Sequence, residues 1–470
     1  MSLEYNNFFR IGLTSEDDAL EEQMITTIRT APETKSTTLN RVVFKVPAMG
    51  ILTRDSQIQV QLQQPVGSTE SNVSVNAVNG VLGCIKEFRM TIDGQELVRL
   101  ENPSYLATNE LYTKNTPQLL TDRQQYQYGC GFRTDVNIND GKEDFSSNYN
   151  LRETNLGMGV HKYPIVAGSG NRVYGIPLHQ LGATFLKEKN LPLYLLKNRD
   201  VHITLDFHSD AREYGVKQGG ISATDIQVNL DRCELVSTHI ILSEEVEKAE
   251  IDNLKMETYN YPMLENYAIK GTLSTGAVDV KSSNLFRLNL QGRELHRMLM
   301  VMREPNPIGG NEYLSNQISL SLGDEEIQFK QNGLNVFERP VVNSAMVYWL
   351  HSQYNMGRSM KVSNHAWVTN KNTLQRSQST ATSFLDYRGR FHYQGLDVSN
   401  GNVEVNEMGS LIQVPYGGGV KQTSTFEVQY NPTPRTGASP DQVNVNVEPI
   451  FFVETAKLLR ISPNKVVITF

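Results

Sequence analysis

The chain has 470 residues, 39% of them hydrophobic and 20% charged, and a formal net charge of −7. This length exceeds one ordinary hydrophobic core and predicts roughly two to three domains. The acidic balance, with no basic arm or patch, argues against a protein that wraps nucleic acid, because such binding depends on neutralising phosphates with Lys and Arg.

The first predicted element is an amphipathic helix over residues 14–29. Ser15 and Asp18 have the spacing of a capping pair, and apolar residues from Leu20 to Ile28 recur at helical spacing. The chain begins without a basic segment and a long apolar one, and no apolar run approaches the roughly 18–20 residues of a membrane-spanning helix. We therefore expect no secretory signal, and a soluble chain that is made in the cytosol.

From residue 39 the sequence has the pattern of β-strands. The segment QIQVQLQQ alternates strictly between polar and apolar residues, which buries one face of a strand and exposes the other. Denser apolar segments such as HRMLMVM, residues 296–302, are also short enough to be strands. Two long polar segments, 114–170 and 355–388, interrupt the pattern, and loops of such length usually serve binding or assembly.

One charged segment, residues 243–255, breaks the β pattern. It begins with Ser243 followed by acidic residues, as a capped helix does. The strand pattern restarts after it, so we predict a short linking helix between two β-rich halves of about 200 residues each.

A hairpin pattern occurs once in each half. MTIDGQELVRL places Asp93-Gly94 between two apolar segments, which predicts a tight turn because Gly tolerates a positive φ. LSLGDEEIQF places Gly323-Asp324 in the same position of the second half. A segment predicted to be helical and a long polar loop follow each hairpin in the same order, which indicates a duplicated domain rather than a short-period repeat.

The predicted fold class is therefore all-β, with two tandem eight-stranded antiparallel jelly rolls, short helices and long loops. We expect an N-terminal arm with a short helix in residues 1–38, a first jelly roll in 39–242, a linker helix in 243–255 and a second jelly roll in 256–470.

Four segments resemble one family in chain order. YGIPLHQLGATFLKEKNLPLYLLKNRDVHITLDF, residues 174–207, resembles the late part of the first jelly roll in double-jelly-roll major capsid proteins. Residues 231–253 are similar to the family's link between barrels, 319–340 to its second hairpin with an Asn-Gly turn, and 451–470 to its closing strand pair. The lineage joins adenoviruses, membrane-containing tailless phages, virophages, Polinton-like viruses and nucleocytoplasmic large DNA viruses.

The resemblance implies a major capsid protein that forms pseudo-hexagonal homotrimeric capsomers tiling the icosahedral shell of a double-stranded DNA virus. The implied partners are other copies of the chain, minor capsid and penton proteins, and an internal membrane under the shell. We expect a virion protein, assembled inside the host cell, without sequence-specific nucleic-acid binding. Two alternatives stay open: a lattice-forming assembly scaffold of the same fold, and a β-sandwich glycan-binding protein whose Asn-rich loops hold the sugar.

Several residue groups could carry chemistry instead. His202, Asp206 and His208 share one strand face at period-2 spacing and could bind a divalent metal, although solvent-facing polar positions explain them as well. DVNINDG, residues 135–141, is similar to a calcium loop, but its Gly comes one residue late and the closing acid is missing. The glycine turns at 168–171 and 416–420 lack the Lys-Ser or Lys-Thr of a phosphate-binding loop.

The remaining candidates have simpler structural explanations. His179, His239 and His392 are expected to be satisfied interior or surface residues, and Trp349 a core anchor. The glycosylation sequon at Asn72 matters only in a secretory lumen. We assign no catalytic residue, cofactor or metal site, and expect no enzymatic activity.

Three cysteines lie far apart in the sequence, with no CxxC pair. This spacing argues against a disulfide framework and against a structural zinc site. We expect buried, reduced thiols at Cys84, Cys130 and Cys233.

Overall fold

The computed structural model describes residues 24–63, 73–75, 80–107, 114–115, 173–187, 190–209, 215–217, 227–254, 258–273, 280–290, 295–303, 324–342, 361–362, 393–397, 425–433, 448–462 and 465–469. Strands predominate in these residues, as the sequence predicts.

The first half of the chain folds into strands β1 to β15. They are β1 (Met24–Thr30), β2 (Thr34–Ser36), β3 (Arg41–Lys45), β4 (Ile51–Leu52), β5 (Gln57–Gln63), β6 (Val73–Val75), β7 (Ile85–Ile92), β8 (Gln95–Glu101), β9 (Lys114–Asn115), β10 (Val173–Pro177), β11 (Leu191–Pro192), β12 (Val201–Phe207), β13 (Gly215–Lys217), β14 (Gln227–Val228) and β15 (Glu234–Ile241).

The second half supplies strands β16 to β26. They are β16 (Tyr259–Lys270), β17 (Asn284–Leu288), β18 (Leu295–Arg303), β19 (Asp324–Gln331), β20 (Leu334–Asn335), β21 (Val341–Val342), β22 (Lys361–Val362), β23 (Tyr393–Asp397), β24 (Phe426–Thr433), β25 (Glu448–Ser462) and β26 (Lys465–Thr469).

Helices in the described residues are short. Two α-helices have both ends within the described residues, α1 (Leu178–Leu181) and α2 (Glu244–Leu254); residues 104–107 are also α-helical, and four segments are 3-10 helices. None of the helices that the structure describes has the length and apolar character needed to cross a lipid bilayer. The 3-10 helices are Gly80–Cys84, Thr184–Lys187, Leu193–Leu196 and Leu230–Arg232.

Two large antiparallel sheets of the first half enclose its core, and β6 and β13 form a separate two-stranded sheet. In sheet I, β5 pairs with β10, β14 and β15, β15 also pairs with β1 and β4, and β4 pairs with β11. Sheet II has the order β2-β3-β12-β7-β8. Residues along β12 alternate between buried and half-buried, because the VHITLDF pattern sends its apolar side chains to one face.

The second half repeats this topology strand for strand. Sheet III contains β16-β25-β18-β23, with β26 on β25, and sheet IV contains β17-β24-β19-β20, with β21 on β19. The eight main strands of the first half are β1, β3, β5, β7, β8, β10, β12 and β15, and those of the second half are β16 to β20 and β23 to β25. In both halves the first, eighth, third and sixth of these strands form one sheet, and the second, seventh, fourth and fifth form the other. This order is a jelly roll in each half, so the predicted double jelly roll is confirmed.

The two hairpins share one turn geometry. Asp93 and Gly94 have φ of 48° and 76°, and Asn332 and Gly333 have φ of 52° and 78°. Positive φ at both central residues defines the turn that matches the twist of antiparallel strands. The first hairpin prediction is confirmed, whereas the prediction of a turn at Gly323-Asp324 is wrong, because Asp324 already begins β19 and the turn lies eight residues later.

Each turn is also fixed in the same way by the seventh strand of its jelly roll. Asp93 N donates to Asp200 O at 2.9 Å, and Asp93 Oδ1 accepts from Asp200 N at 3.0 Å. Asn332 makes the same two hydrogen bonds with Thr425, at 2.9 and 3.0 Å. The two halves therefore share the hydrogen bonds that fix this turn as well as their topology.

The N-terminal helix prediction is wrong for residues 24–29. Met24–Thr30 is strand β1, which pairs antiparallel with β15 from Met24↔Ile241 to Thr30↔Leu235. The segment MITTIRT is rich in β-branched residues, and the free edge of β15 offers it a complete ladder of hydrogen bonds. The rest of the predicted helix, residues 14–23, lies outside the described residues.

A helix follows the first hairpin as predicted, but the described residues after the second hairpin contain a strand. Residues 104–107 are helical after the first hairpin. After the second, Val341–Val342 is strand β21 rather than helix, and residues 343–350 lie outside the described part of the chain.

Candidate assembly interface

Sheet III is buried on both faces, and one of these faces joins the two jelly rolls. In β18, Met298 and Met300 pack into the core of the second jelly roll, whereas Leu299 and Val301 belong to the hydrophobic cluster shared with the first. All four are at most 1% exposed. A strand buried on both faces needs apolar residues at consecutive positions, which explains the run HRMLMVM.

Aromatic side chains lie across this interface. The rings of Phe185 and Tyr261 meet edge to face, with centroids 6.0 Å apart. The rings of Tyr105 and Phe452 lie 6.5 Å apart between centroids. Because the cluster is continuous from one jelly roll to the other, hydrophobic burial holds them together as one body rather than as two tethered domains.

A buried ion pair lies within the interface. Lys457 Nζ donates to Glu265 Oε2 at 2.7 Å, and the two side chains are 0% and 2% exposed. The same ammonium donates to the backbone oxygen of Leu97 at 2.8 Å and to that of Glu96 at 3.4 Å, both in β8 of the first jelly roll. The three donors of Lys457 therefore have acceptors from both jelly rolls.

We expect this pair to favour one arrangement of the two jelly rolls. A charge moved out of water costs several kcal/mol unless its partners are well placed, so a shift of β8 relative to Lys457 is penalised. We therefore expect the pair to act more on the relative position of the jelly rolls than on their net stability.

Polar contacts at the rim of the interface complete it. Gln95 Nε2 donates to Val466 O at 3.3 Å, which ties β8 to β26. Lys270 Nζ lies 2.7 Å from Glu101 Oε2, at the other end of β8. Both side chains of this second pair are part-exposed, so the pair contributes little free energy but aligns the strands along their length.

The charged segment that was predicted to be helical forms α2. Its start is capped by Ser243, whose Oγ accepts a hydrogen bond from Val246 N at 3.4 Å. Val246 and Ile251 pack against a small cluster beside the first jelly roll, and Lys197 lies 3.3 Å from Glu247. The helix is therefore docked on the first jelly roll, which limits the freedom of the connection.

The three residues predicted to share a metal-binding face do not form such a group. Both carboxylate oxygens of Asp206 bind the guanidinium of Arg41, with Nη2 and Oδ2 2.6 Å apart. His202 Nε2 lies 3.2 Å from Glu33 Oε2, and His208 N donates to a backbone oxygen. Among the residues that the structure describes, no three His, Cys, Asp or Glu side chains are placed to hold a metal ion.

His239 lies buried in β15 with a defined tautomer. Its Nδ1 lies 3.0 Å from Met49 O, and its Nε2 lies 2.7 Å from Ser237 Oγ. A carbonyl can only accept, so Nδ1 carries the proton and Nε2 accepts from the Ser237 hydroxyl. Burial lowers the pKa of His239, and the hydrogen bond to Met49 opposes this effect. The prediction of a satisfied interior histidine is confirmed here.

We expect this histidine to make the fold less stable in acid. The unfolded chain binds the proton with an ordinary pKa near 6.5, whereas the folded chain binds it only at lower pH, so the stabilisation is complete above about pH 6.5 and declines as pH falls below it. The slope contributed is at most about 1.4 kcal/mol per pH unit. Urea unfolding between pH 5 and 7 measures this dependence of the free energy of unfolding on pH. His239→Gln should lose this component, and the part-exposed His202→Gln should keep it; identical slopes in all three proteins would contradict the assignment.

Two of the three cysteines are confirmed as buried free thiols. Burial raises the pKa of Cys84, and it raises the pKa of Cys233 to about 12. His179 is buried in α1. The other predicted features lie outside the described residues: Asn72, Cys130, Trp349, His392 and the segments 135–141, 168–171 and 416–420.

The paired strand orders and the shared interface define a double-jelly-roll fold. The chain is similar to a chain of the PBCV-1 virus capsid with a TM-score of 0.58 and 10% identity, over 96% of this chain and 97% of that one. It is similar to a chain of the Sputnik virophage with a TM-score of 0.55 and 14% identity, over 95% and 88%. For the mavirus major capsid protein the TM-score is 0.50, the identity 10% and the coverage 95% and 90%.

At these identities the likeness shows a common fold. The resemblance to double-jelly-roll capsid proteins is therefore confirmed at the level of the fold. No protein-family model and no curated protein matches the sequence.

Proposed function

We propose that the chain is the major capsid protein of a double-stranded DNA virus, and that its homotrimers are pseudo-hexagonal capsomers tiling an icosahedral shell. One observation carries this proposal: two jelly rolls of equal strand order are joined through a buried hydrophobic interface into one body. Three such chains present six equivalent units, and a cyclic arrangement closes them into a ring with nearly six-fold outline. The shared fold with chains of viral capsids supports it.

The proposal includes revised domain limits. The first jelly roll extends from residue 24 to 242, because β1 is its first strand and pairs with its last. The linker occupies 243–255 and the second jelly roll 256–470. The partners are further copies of the chain, minor capsid and penton proteins, and an internal membrane below the shell, and the location is the virion. The role acts through shape and symmetry and requires no catalysis.

Electron microscopy of the purified protein tests this role. We expect three-fold particles with six lobes, which pack into hexagonal arrays at high concentration because a flat hexagonal tile has neighbours on every side. Separate two-lobed particles at all concentrations would contradict the proposal. Presence of the chain in purified virions distinguishes a capsid protein from an assembly scaffold.

A further inference from the structure

The interface inside the chain is made by two particular strands. The first strand of the second jelly roll, β16, packs beside the fifth strand of the first jelly roll, β8. It also contacts the 3-10 helix Thr184–Lys187. Leu264 O in β16 accepts from Thr184 Oγ1 at 3.4 Å, and Tyr261 in β16 meets the ring of Phe185. Neighbouring strand β25 sends Lys457 to the backbone of β8. The contact is head to tail, because it joins unlike sides of two like folds.

The other two ends of the same pattern carry exposed apolar side chains. The first jelly roll has its own first strand, β1, and the second has its own fifth strand, β20. Among the described large apolar side chains, Leu334 in β20 and Ile25 in β1 are the most exposed, at 75% and 72%. Met24 and Val336 beside them are also exposed. Within the described residues, β1 pairs only with β15, and β20 only with β19.

The matching turns show how the two fifth strands correspond. Leu97 and Val336 are both third after their turns, but β8 has a bulge at Leu97, so Val98 opposite Met90 holds the ladder position that Val336 holds opposite Phe329. Val98 is fully buried. Leu97 is fully buried beside the second jelly roll, and its carbonyl oxygen binds Lys457. Val336 is 41% exposed. Among the described residues, the second jelly roll packs beside β8, and no jelly roll packs beside β20.

We propose that β1 of one copy of the chain packs against β20 of the next copy, so that the contact between jelly rolls within the chain is repeated between chains. The occupant of each surface is a second copy, since the interface inside the chain already joins a first strand to a fifth strand. This inference rests on the homotrimer of the proposed function. It adds the strands and side chains that close the ring.

The composition of the two strands suits such a contact. The segment MITTIRT in β1 has one charged side chain, Arg29, and an exposed edge of this kind invites pairing with another chain unless it is covered. Where β8 begins with Gln95 and Glu96, β20 begins with Leu334 and Asn335, so one polar side chain is replaced by an apolar one. Burial of the apolar residues at both ends of the pair of jelly rolls favours a closed ring of head-to-tail contacts.

Three single substitutions test the contact. Ile25→Asp and Leu334→Asp each place a charge in the proposed interface. Leu285→Asp is the matched control, because Leu285 is 50% exposed on β17, the edge of sheet IV opposite to β20. Loss of a buried Ile or Leu side chain should raise the dissociation constant at least about 10-fold. Circular dichroism and thermal melting establish that each variant is folded.

The native mass, measured by light scattering, gives distinct outcomes. The inference expects wild type and Leu285→Asp as trimers, and Ile25→Asp and Leu334→Asp as monomers. The double variant Ile25→Asp with Leu334→Lys should form trimers again, because the two new charges attract across the contact. A wild-type trimer that persists in both single variants overturns this inference and leaves the proposed function standing. Failure of the double variant to reassociate overturns the direct contact, and a monomeric wild type overturns both proposals.

Discussion

Replacement of Lys457 by Met is expected to lower the free energy of unfolding by about 3–5 kcal/mol. The ammonium is fully buried and binds Glu265 and the backbone of β8, so its removal leaves the Glu265 carboxylate in an apolar interface without its counter-charge. Urea denaturation at neutral pH measures the change. Lys197→Met, which removes an exposed partner of Glu247, should cost no more than about 1 kcal/mol.

The double variant Lys457→Met with Glu265→Leu tests whether the ion pair sets the relative position of the jelly rolls or the free energy of unfolding. Because both desolvated charges are removed together, its stability should return to within about 1–2 kcal/mol of wild type. The relative position of the jelly rolls, measured by small-angle X-ray scattering, should become less well defined. A single variant as stable as wild type would show that the pair is hydrated rather than buried.

Truncation of neighbouring phenylalanines is expected to give two equally large losses. Phe451 faces the core of the second jelly roll beside Phe286, and Phe452 faces the interface beside Tyr105. Both are 0% exposed, so replacement of either by Ala should cost about 3–5 kcal/mol. Thermal unfolding should remain a single transition in each variant.

The comparison of these two variants distinguishes one body from two tethered domains. Tethered domains would lose little stability on Phe452→Ala, since that face would be solvated in either case. They would also unfold in two steps, the second jelly roll separately from the first. Equal losses with one transition would establish that the interface is as dry as the core.

The fold could be predicted from sequence because its signals are local and repeated. The alternation of polar and apolar residues in QIQVQLQQ and VHITLDF predicted strands, and Asp93-Gly94 predicted a turn. The recurrence of hairpin and loop indicated a duplicated domain. The N-terminal helix was predicted wrongly because MITTIRT carries apolar residues at a spacing that fits a helix. Pairing with β15, two hundred residues away, decides its conformation instead.

The candidate interface could be predicted only in part. The dense run HRMLMVM indicated a strand, but burial on both of its faces depends on the first jelly roll being packed against it. A local signal existed for the ion pair, since Lys457 and Glu265 are charges inside apolar strands. Their pairing depends on the register of β16 and β25, which the sequence alone does not specify.

The candidate metal site illustrates the same limit. Period-2 spacing correctly placed His202 and Asp206 on one face of β12. It could not reveal that β3 supplies Arg41 opposite Asp206, which turns the carboxylate into half of an ion pair. Neighbouring strands therefore decide the chemistry of a strand face as much as its own residues do.

The native mass of the wild-type protein, measured by light scattering, tests the central claim most directly. Three chains of 52.9 kDa in a closed ring predict about 159 kDa, independent of concentration over the micromolar range. A stable particle of about 53 kDa, the mass of one chain, would contradict the claim that each chain forms one third of a capsomer.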